Sequence, residues 1–266
     1  ANYPCSFHRP RHGYTEAGLF DLLRSGYFDA VIYGDVEAAN PQHFARTVSA
    51  LAGEVPFYLL DQVDEMADTR GRVRHYLKRE RFAAYFKREM LQGTQFEGTA
   101  YPLPFAYPDA LAAPDYPEAR PRAFFWAGHR AAGMRRLYLE ALEGMLGQSL
   151  EGALTQDAYR VALRESQIGL NCFGFGFDTV RYWELPANGC LLLSERMPIH
   201  VPCNFVDGEH AVFFEHLPEL QDKLRHYLRE PDAVRRIALA GYHHARHFHT
   251  GSARARQMLA WMRLHA

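Results

Sequence analysis

Apolar residues along this chain alternate between two spacings. Short continuous runs of about strand length are separated by stretches in which apolar positions recur every three or four residues, as on a helix with one buried face. In the first part a helix is expected from Thr15 to Ser25. The apolar run Phe28-Asp-Ala-Val-Ile-Tyr-Gly follows, then a helix around His43–Ala52 and a buried strand in Val55-Pro-Phe-Tyr-Leu-Leu-Asp. A basic helix over Arg72–Arg81, the run Phe82-Ala-Ala-Tyr-Phe-Lys-Arg and the segment Tyr101-Pro-Leu-Pro-Phe complete this part. Between Pro108 and Pro121 four prolines interrupt every periodicity, which marks a linker. Beyond it come a strand in Ala123-Phe-Phe-Trp-Ala-Gly, helices over Gly133–Leu146 and Gln156–Glu165, and a strand in Gln167-Ile-Gly-Leu-Asn-Cys. A short helix over Thr179–Ala187 leads to strands Cys190-Leu-Leu-Leu-Ser and Ala211-Val-Phe-Phe, and helices Leu217–Arg229, Asp232–His247 and Ser252–Leu264 end the chain. Strands alternating with helices imply βαβ units and parallel sheets. The expected fold class is α/β, with two Rossmann-like domains over residues 1–108 and 122–266 joined by a linker at 109–121.

Composition narrows the function classes. Lys and Arg total 30 against 31 for Asp and Glu, so no global field draws the chain to nucleic acid or to an anionic membrane. Any bound anion must be held by local groups. The longest apolar runs are far shorter than the roughly 20 residues of a membrane span, and the opening residues lack the basic and apolar segments of a signal peptide, so the expected location is cytoplasmic. Cys5, Cys172, Cys190 and Cys203 show no CxxC spacing and are expected to be reduced core residues.

The densest chemistry lies in Asn171-Cys-Phe-Gly-Phe-Gly-Phe-Asp-Thr-Val-Arg-Tyr-Trp-Glu, where a strand turns into a helix. In open α/β sheets ligands bind beyond the carboxyl ends of strands, and glycines there let backbone N–H groups approach a phosphate. Gly174 and Gly176 occupy the turn, Asp178 or Thr179 can cap the helix, and Arg181 adds a charge one turn in. Glu184 shares a helix face with Arg181 and could accept hydrogen bonds from sugar or ribose hydroxyls. Two other readings stand beside this one. Arg181 and Glu184 could form an ordinary surface ion pair, and Gly174-x-Gly176-x-x-Thr179 with Glu195 could belong to a nicotinamide-dependent oxidoreductase.

Outside that stretch, His8 and His12 in the opening loop, and Asp35, Asp61 and Asp64 at or after strand ends, could serve as bases toward an acceptor hydroxyl. Lys87 and Arg88 end a predicted strand and read either as phosphate partners or as surface charge. His243 and His247 share a helix face, but no Glu or Cys beside them completes a zinc pattern, and no metal site is expected. Among the aromatics Phe173, Phe175, Phe177, Tyr182 and Trp183, one could stack on a nucleobase and the rest would pack in the core.

These residues carry a family resemblance. The run from Asp178 to Leu193 resembles the R-x-x-E-x-x-A-x-G helix of GT-B glycosyltransferases, in particular the branch related to spore-maturation proteins. Tyr159 to Asn171, Phe205-Val-Asp-Gly-Glu-His and Ala238–Thr250 resemble further blocks of that branch in order and spacing, so the likeness spans roughly residues 121–260; Tyr85-Phe-Lys-Arg-Glu resembles a family strand. The resemblance implies a GT-B enzyme whose C-terminal domain binds a nucleoside diphosphate sugar as co-substrate, with no further cofactor, and whose N-terminal domain binds a glycan or glycolipid acceptor. It also implies that Glu184 holds the donor ribose, that Arg181 and the Gly174–Gly176 backbone neutralise the diphosphate, and that Gly128 and Arg130 lie beside it. A metal ion is not implied, and the chain has no Asp-x-Asp motif. Two departures stand out: Gly176 occupies the place of a second family Glu, and the N-terminal half is short and lacks an evident first strand with its glycine loop. A non-catalytic sugar-nucleotide or protein-binding module is the reading these departures leave open.

Overall fold

A computed structural model describes residues 15–34, 42–53, 55–130, 134–150 and 152–264. The described residues build two four-stranded, wholly parallel sheets. The first has the order β1 (Val31–Tyr33), β2 (Phe57–Asp61), β3 (Ala84–Lys87), β4 (Ala100–Pro102). Helices α1 (Glu16–Arg24), α2 (Gln42–Leu51) and α3 (Arg70–Leu77) connect or precede its strands. The second has the order β5 (Arg122–Phe125), β6 (Ser166–Asn171), β7 (Leu191–Glu195), β8 (Val212–Phe214). Its helices are α4 (Arg135–Leu146), α5 (Gln156–Arg164), α6 (Val180–Ala187), α7 (Leu217–Tyr227) and α8 (Pro231–Phe248), and α9 (Gly251–Arg263) ends the chain. In each sheet the strands follow chain order, so the order does not reverse as it does in a doubly wound Rossmann sheet.

Why the central strands read as uninterrupted apolar runs is plain from the layers. In the second sheet Phe124, Trp126, Leu191 and Leu193 face α4, α7 and α8, whereas Phe125, Leu192 and Phe213 face α5 and α6. A parallel sheet covered on both faces has no solvent side for polar residues to occupy. Gly169 in β6 lets α6 settle closely, because a Cβ there would meet the Leu185 side chain, with its Cγ only 3.0 Å away. That close approach fixes the helix that carries Arg181 and Glu184.

The first sheet packs Phe57, Leu59 and Tyr85 against α1, α2 and α3. Its other face is covered by α9, which follows the second sheet in the chain yet returns to the first. Trp261 stacks on Tyr101 at 4.8 Å and 8°, and the Tyr58 hydroxyl donates to Met262 O at 3.2 Å. The halves also meet at the loops after β3 and β7, where Gln92 N donates to Pro198 O at 2.8 Å and His200 N to Met90 O at 2.7 Å. The expected linker holds a single helical turn at Asp109–Leu111. The basic helix begins and ends earlier than its charges suggest, with Lys78 in the left-handed conformation that closes it.

Candidate functional site

Beyond the carboxyl ends of β5 and β6, residues 126–130 and 172–179 converge with the amino ends of α4 and α6. Arg181, in the first turn of α6, donates through Nη2 to Ala127 O at 2.6 Å and lies 5.5 Å from the Trp126 ring. Gly128 has φ +145, and a Cβ there would stand 2.9 Å from Arg181 Nη2, so both its backbone and its neighbour call for glycine. From α4, Arg135 donates to His129 O at 2.9 Å and to Cys172 O at 3.1 Å, and its Nη2 lies 3.2 Å from the position of a Cβ on Gly174.

Neither guanidinium has a carboxylate at ion-pair distance among the described residues, and the Nε of each is buried without a partner. Burial lowers the pKa of Arg135, and the Arg181 charge lowers it further. Two half-buried like charges repel, Glu195 and Glu184 oppose this only from beyond ion-pair distance, and an anion between the guanidinia would relieve the cost. Arg135 is a candidate site residue that the sequence alone did not single out. The available signal was a positive charge in the first turn of the helix after the first C-terminal strand.

Glu184 is buried at 9% exposure, and it accepts from the Tyr159 hydroxyl on α5 rather than pairing directly with Arg181. Burial raises its pKa, while Tyr159 and the nearby Arg181 charge oppose the shift. The surface ion-pair reading of these two residues therefore fails. Thr179 sits at the N-cap of α6, but its hydroxyl donates to Asn171 Oδ1 at 2.5 Å and caps no amide.

Asp178 is turned into the core, where it accepts from Phe105 N at 2.6 Å and Trp183 Nε1 at 2.8 Å, so neither oxygen is offered to a ligand. The glycine turn differs from the expected phosphate cradle in two ways. The Gly174 amide is used on Gly176 O at 3.1 Å. Gly176 packs against carboxylates of the first half, with Asp64 Oδ1 2.9 Å and Glu89 Cδ 2.8 Å from the position of a Cβ. Negative charge there repels a phosphate, so the positive ground is the Arg135, Arg181 and Gly128 side of the turn. Phe175, at the tip of the turn, is 96% exposed, whereas Tyr182 and Trp183 are buried and Phe173 packs edge-on against Phe177.

Of the remaining expected residues, Arg130 stands over the same Trp126 ring as Arg181, at 6.0 Å, but is neutralised. Arg130 is held by both oxygens of Glu143, at 2.9 and 2.7 Å. Asp61 is fully buried and accepts from Lys87 Nζ at 2.9 Å, Thr69 Oγ1 at 2.6 Å and Tyr85 OH at 2.5 Å. That closed network leaves it no approach to an acceptor hydroxyl. Lys87 and Arg88 are both buried rather than on the surface, and Asp61 and Asp64 pair with them. Cys172 and Cys190 are buried free thiols, but Cys203 is exposed with φ +53, contrary to the expected core position. Among the described residues no group of three His, Cys, Asp or Glu could hold a metal ion, the His243 and His247 region included. His8, His12, Asp35 and Cys5 lie outside the described residues.

Two wholly parallel sheets with a pair of guanidinia beyond the strand ends place the chain in the α/β class. Residues 122–260 match the glycosyl transferase-like family, and the chain belongs to that family. No curated protein sequence matches significantly. Solved structures with a similar fold include a pneumococcal O-GlcNAc transferase, GtfA, in complex with UDP and GlcNAc, at 11% identity and a TM-score of 0.56. The match covers 94% of this chain and 60% of that one, so the chain spans less than two thirds of its length. An alpha-glucosyltransferase in complex with UDP-glucose and DNA aligns at 8% identity and a TM-score of 0.60, covering 92% of this chain and 82% of that one. Anabaena HepE in complex with UDP-glucose aligns at 10% identity and a TM-score of 0.54, covering 93% and 81%. The shared architecture is the GT-B fold. Among the described residues no helix is long and apolar enough to cross a membrane.

Proposed function

We propose that the chain transfers a sugar from a uridine diphosphate sugar to a hydroxyl of a glycan or glycolipid, without a metal ion. The observation that carries the reading is the pair of half-buried guanidinia of Arg135 and Arg181 beside Gly128, neither in an ion pair among the described residues. Their charges and the amino end of α6 would stabilise the departing diphosphate, the task a cation performs in other enzymes. Glu184, held by Tyr159, would accept from the ribose hydroxyls. UDP is the nucleotide named with each of the three similar structures, which favours uridine.

The ordered blocks from Tyr159 to Thr250 support the spore-maturation-like branch, and the near-neutral net charge supports a partner other than nucleic acid. Buried free thiols at Cys172 and Cys190 accord with a cytoplasmic site of action. The oxidoreductase reading is disfavoured, because Glu195 accepts from Phe173 N at 2.6 Å and is not free for a ribose. A thermal-shift series with UDP, GDP, ADP and NAD tests the assignment, since a ligand that binds only the folded state raises its melting temperature. UDP should stabilise most and turnover should survive EDTA. Stabilisation by NAD alone, or turnover that requires added Mg²⁺ or Mn²⁺, would contradict it.

A further inference from the structure

Glu89 follows β3 in the first sheet, yet its side chain belongs to the turn between β6 and α6. The residue is 1% exposed. Its closest cation, Arg88 Nη2, is 3.7 Å away, and that guanidinium is engaged by Asp64 and by Gln62 O. What Glu89 does accept is the Asp178 amide, through Oε1 at 2.9 Å. The same oxygen occupies the space a Cβ on Gly176 would need. A carboxylate taken out of water is costly unless hydrogen bonds replace its hydration, and here the amino-terminal side of α6 supplies one.

Among the described residues Glu89 is the side chain that accepts a backbone amide at that end of α6. Thr179, at its N-cap, directs its hydroxyl to Asn171 and makes no capping bond. Asp178, fixed at its amide by Glu89, in turn fixes Phe105 N and Trp183 Nε1. Arg181 lies in the turn of helix that follows. A continuous path of contacts therefore runs from the first sheet, through one carboxylate, to the guanidinium assigned to the diphosphate.

We propose that Glu89 is a positioning residue for the donor site: it holds the Gly176–Asp178 turn, crowds with Asp64 the space a side chain at position 176 would need, and so sets where Arg181 stands. The proposal rests on the donor reading of Arg181, and the two can fail separately. Amide exchange at Asp178 reports the hold on the turn with no ligand present, and calorimetry with UDP reports its effect on binding. Glu89→Ala should speed Asp178 exchange and weaken UDP binding by roughly tenfold each, about the worth of one hydrogen bond to a charged group. Exchange in β7 should stay slow, which separates local release from unfolding. Glu89→Gln keeps an acceptor oxygen of the same reach and should restore both to within about twofold of the native values.

Gly176→Ala should weaken UDP binding strongly in the native background and less in Glu89→Ala, where the nearer of the two colliding carboxylates is gone and only Asp64 Oδ1, 2.9 Å from the position of the Cβ, remains. Native exchange at Asp178 in Glu89→Ala, or additive effects of the two substitutions, would overturn the proposal. If the native chain binds no UDP while Asp178 exchange responds as expected, the donor assignment fails and the hold on the turn stands.

Discussion

Substituting Asp178 by Asn should change how stability depends on pH, with a sign fixed by burial. Asp178 is 3% exposed, and burial pushes its pKa up from 3.8 to about 6, against the pull of the Phe105 and Trp183 N–H groups and of Arg88. The folded carboxyl thus holds its proton more tightly than the unfolded one. The cost of keeping it ionised is complete above about pH 6 and is relieved as pH falls through 6 toward 3.8. A shift of about two units at 1.4 kcal/mol each gives about 2–3 kcal/mol over that window. Asparagine does not titrate, so the stability difference between native and Asp178→Asn proteins isolates this group from the other carboxylates. Urea unfolding at about pH 4 and about pH 7.5 should show the difference moving by 2–3 kcal/mol in favour of the native protein at the lower pH. Trp183 fluorescence should follow the same transition, since its indole N–H donates to Asp178 at 2.8 Å. A difference independent of pH, or one that moves the other way, would refute the reasoning.

Tyr159→Phe should destabilise the fold by about 1–3 kcal/mol at neutral pH, because the buried Glu184 carboxylate loses its donor, and the loss should shrink in acid as Glu184 takes up a proton; equal losses at both pH values would count against it. Phe175→Ala should leave stability within about 0.5 kcal/mol, as an exposed side chain packs on little, yet weaken UDP binding roughly fivefold through the loss of a stacking surface. Unchanged affinity by calorimetry would remove Phe175 from the site.

Elements with a strong local pattern were legible. The β7 run Cys190-Leu-Leu-Leu-Ser announces a strand covered on both faces, and Thr15, Thr155 and Thr250 stand at N-caps with hydroxyls that accept the amides three residues on. The strand, glycine turn and helix around Gly174 to Glu184 were likewise visible, because glycines, a basic residue and a helical spacing lie together in the chain. What depends on distant partners was not. Lys87, Arg88 and Glu89 form a charged run that suggests solvent, and only the fold brings Asp61 to Lys87 and Gly176 to Glu89. The difference between Arg130 and Arg135 is of the same kind. Both are arginines between β5 and the body of α4, and Glu143 neutralises one and not the other. The place of α9 could not be read either, since a helix late in the chain gives no sign of which sheet it covers.

The central claim is that Arg135 and Arg181 together hold the donor diphosphate. Titrating UDP calorimetrically into the native protein and into Arg135→Gln, Arg181→Gln and Arg130→Gln tests it in one experiment. Each of the first two substitutions removes a charge-assisted hydrogen bond and should weaken binding by about 1.5–3 kcal/mol. Arg130, tied to Glu143 at 2.7 Å, should change affinity by little when replaced. Native affinity in both Arg135→Gln and Arg181→Gln, in proteins that remain folded, would contradict the account.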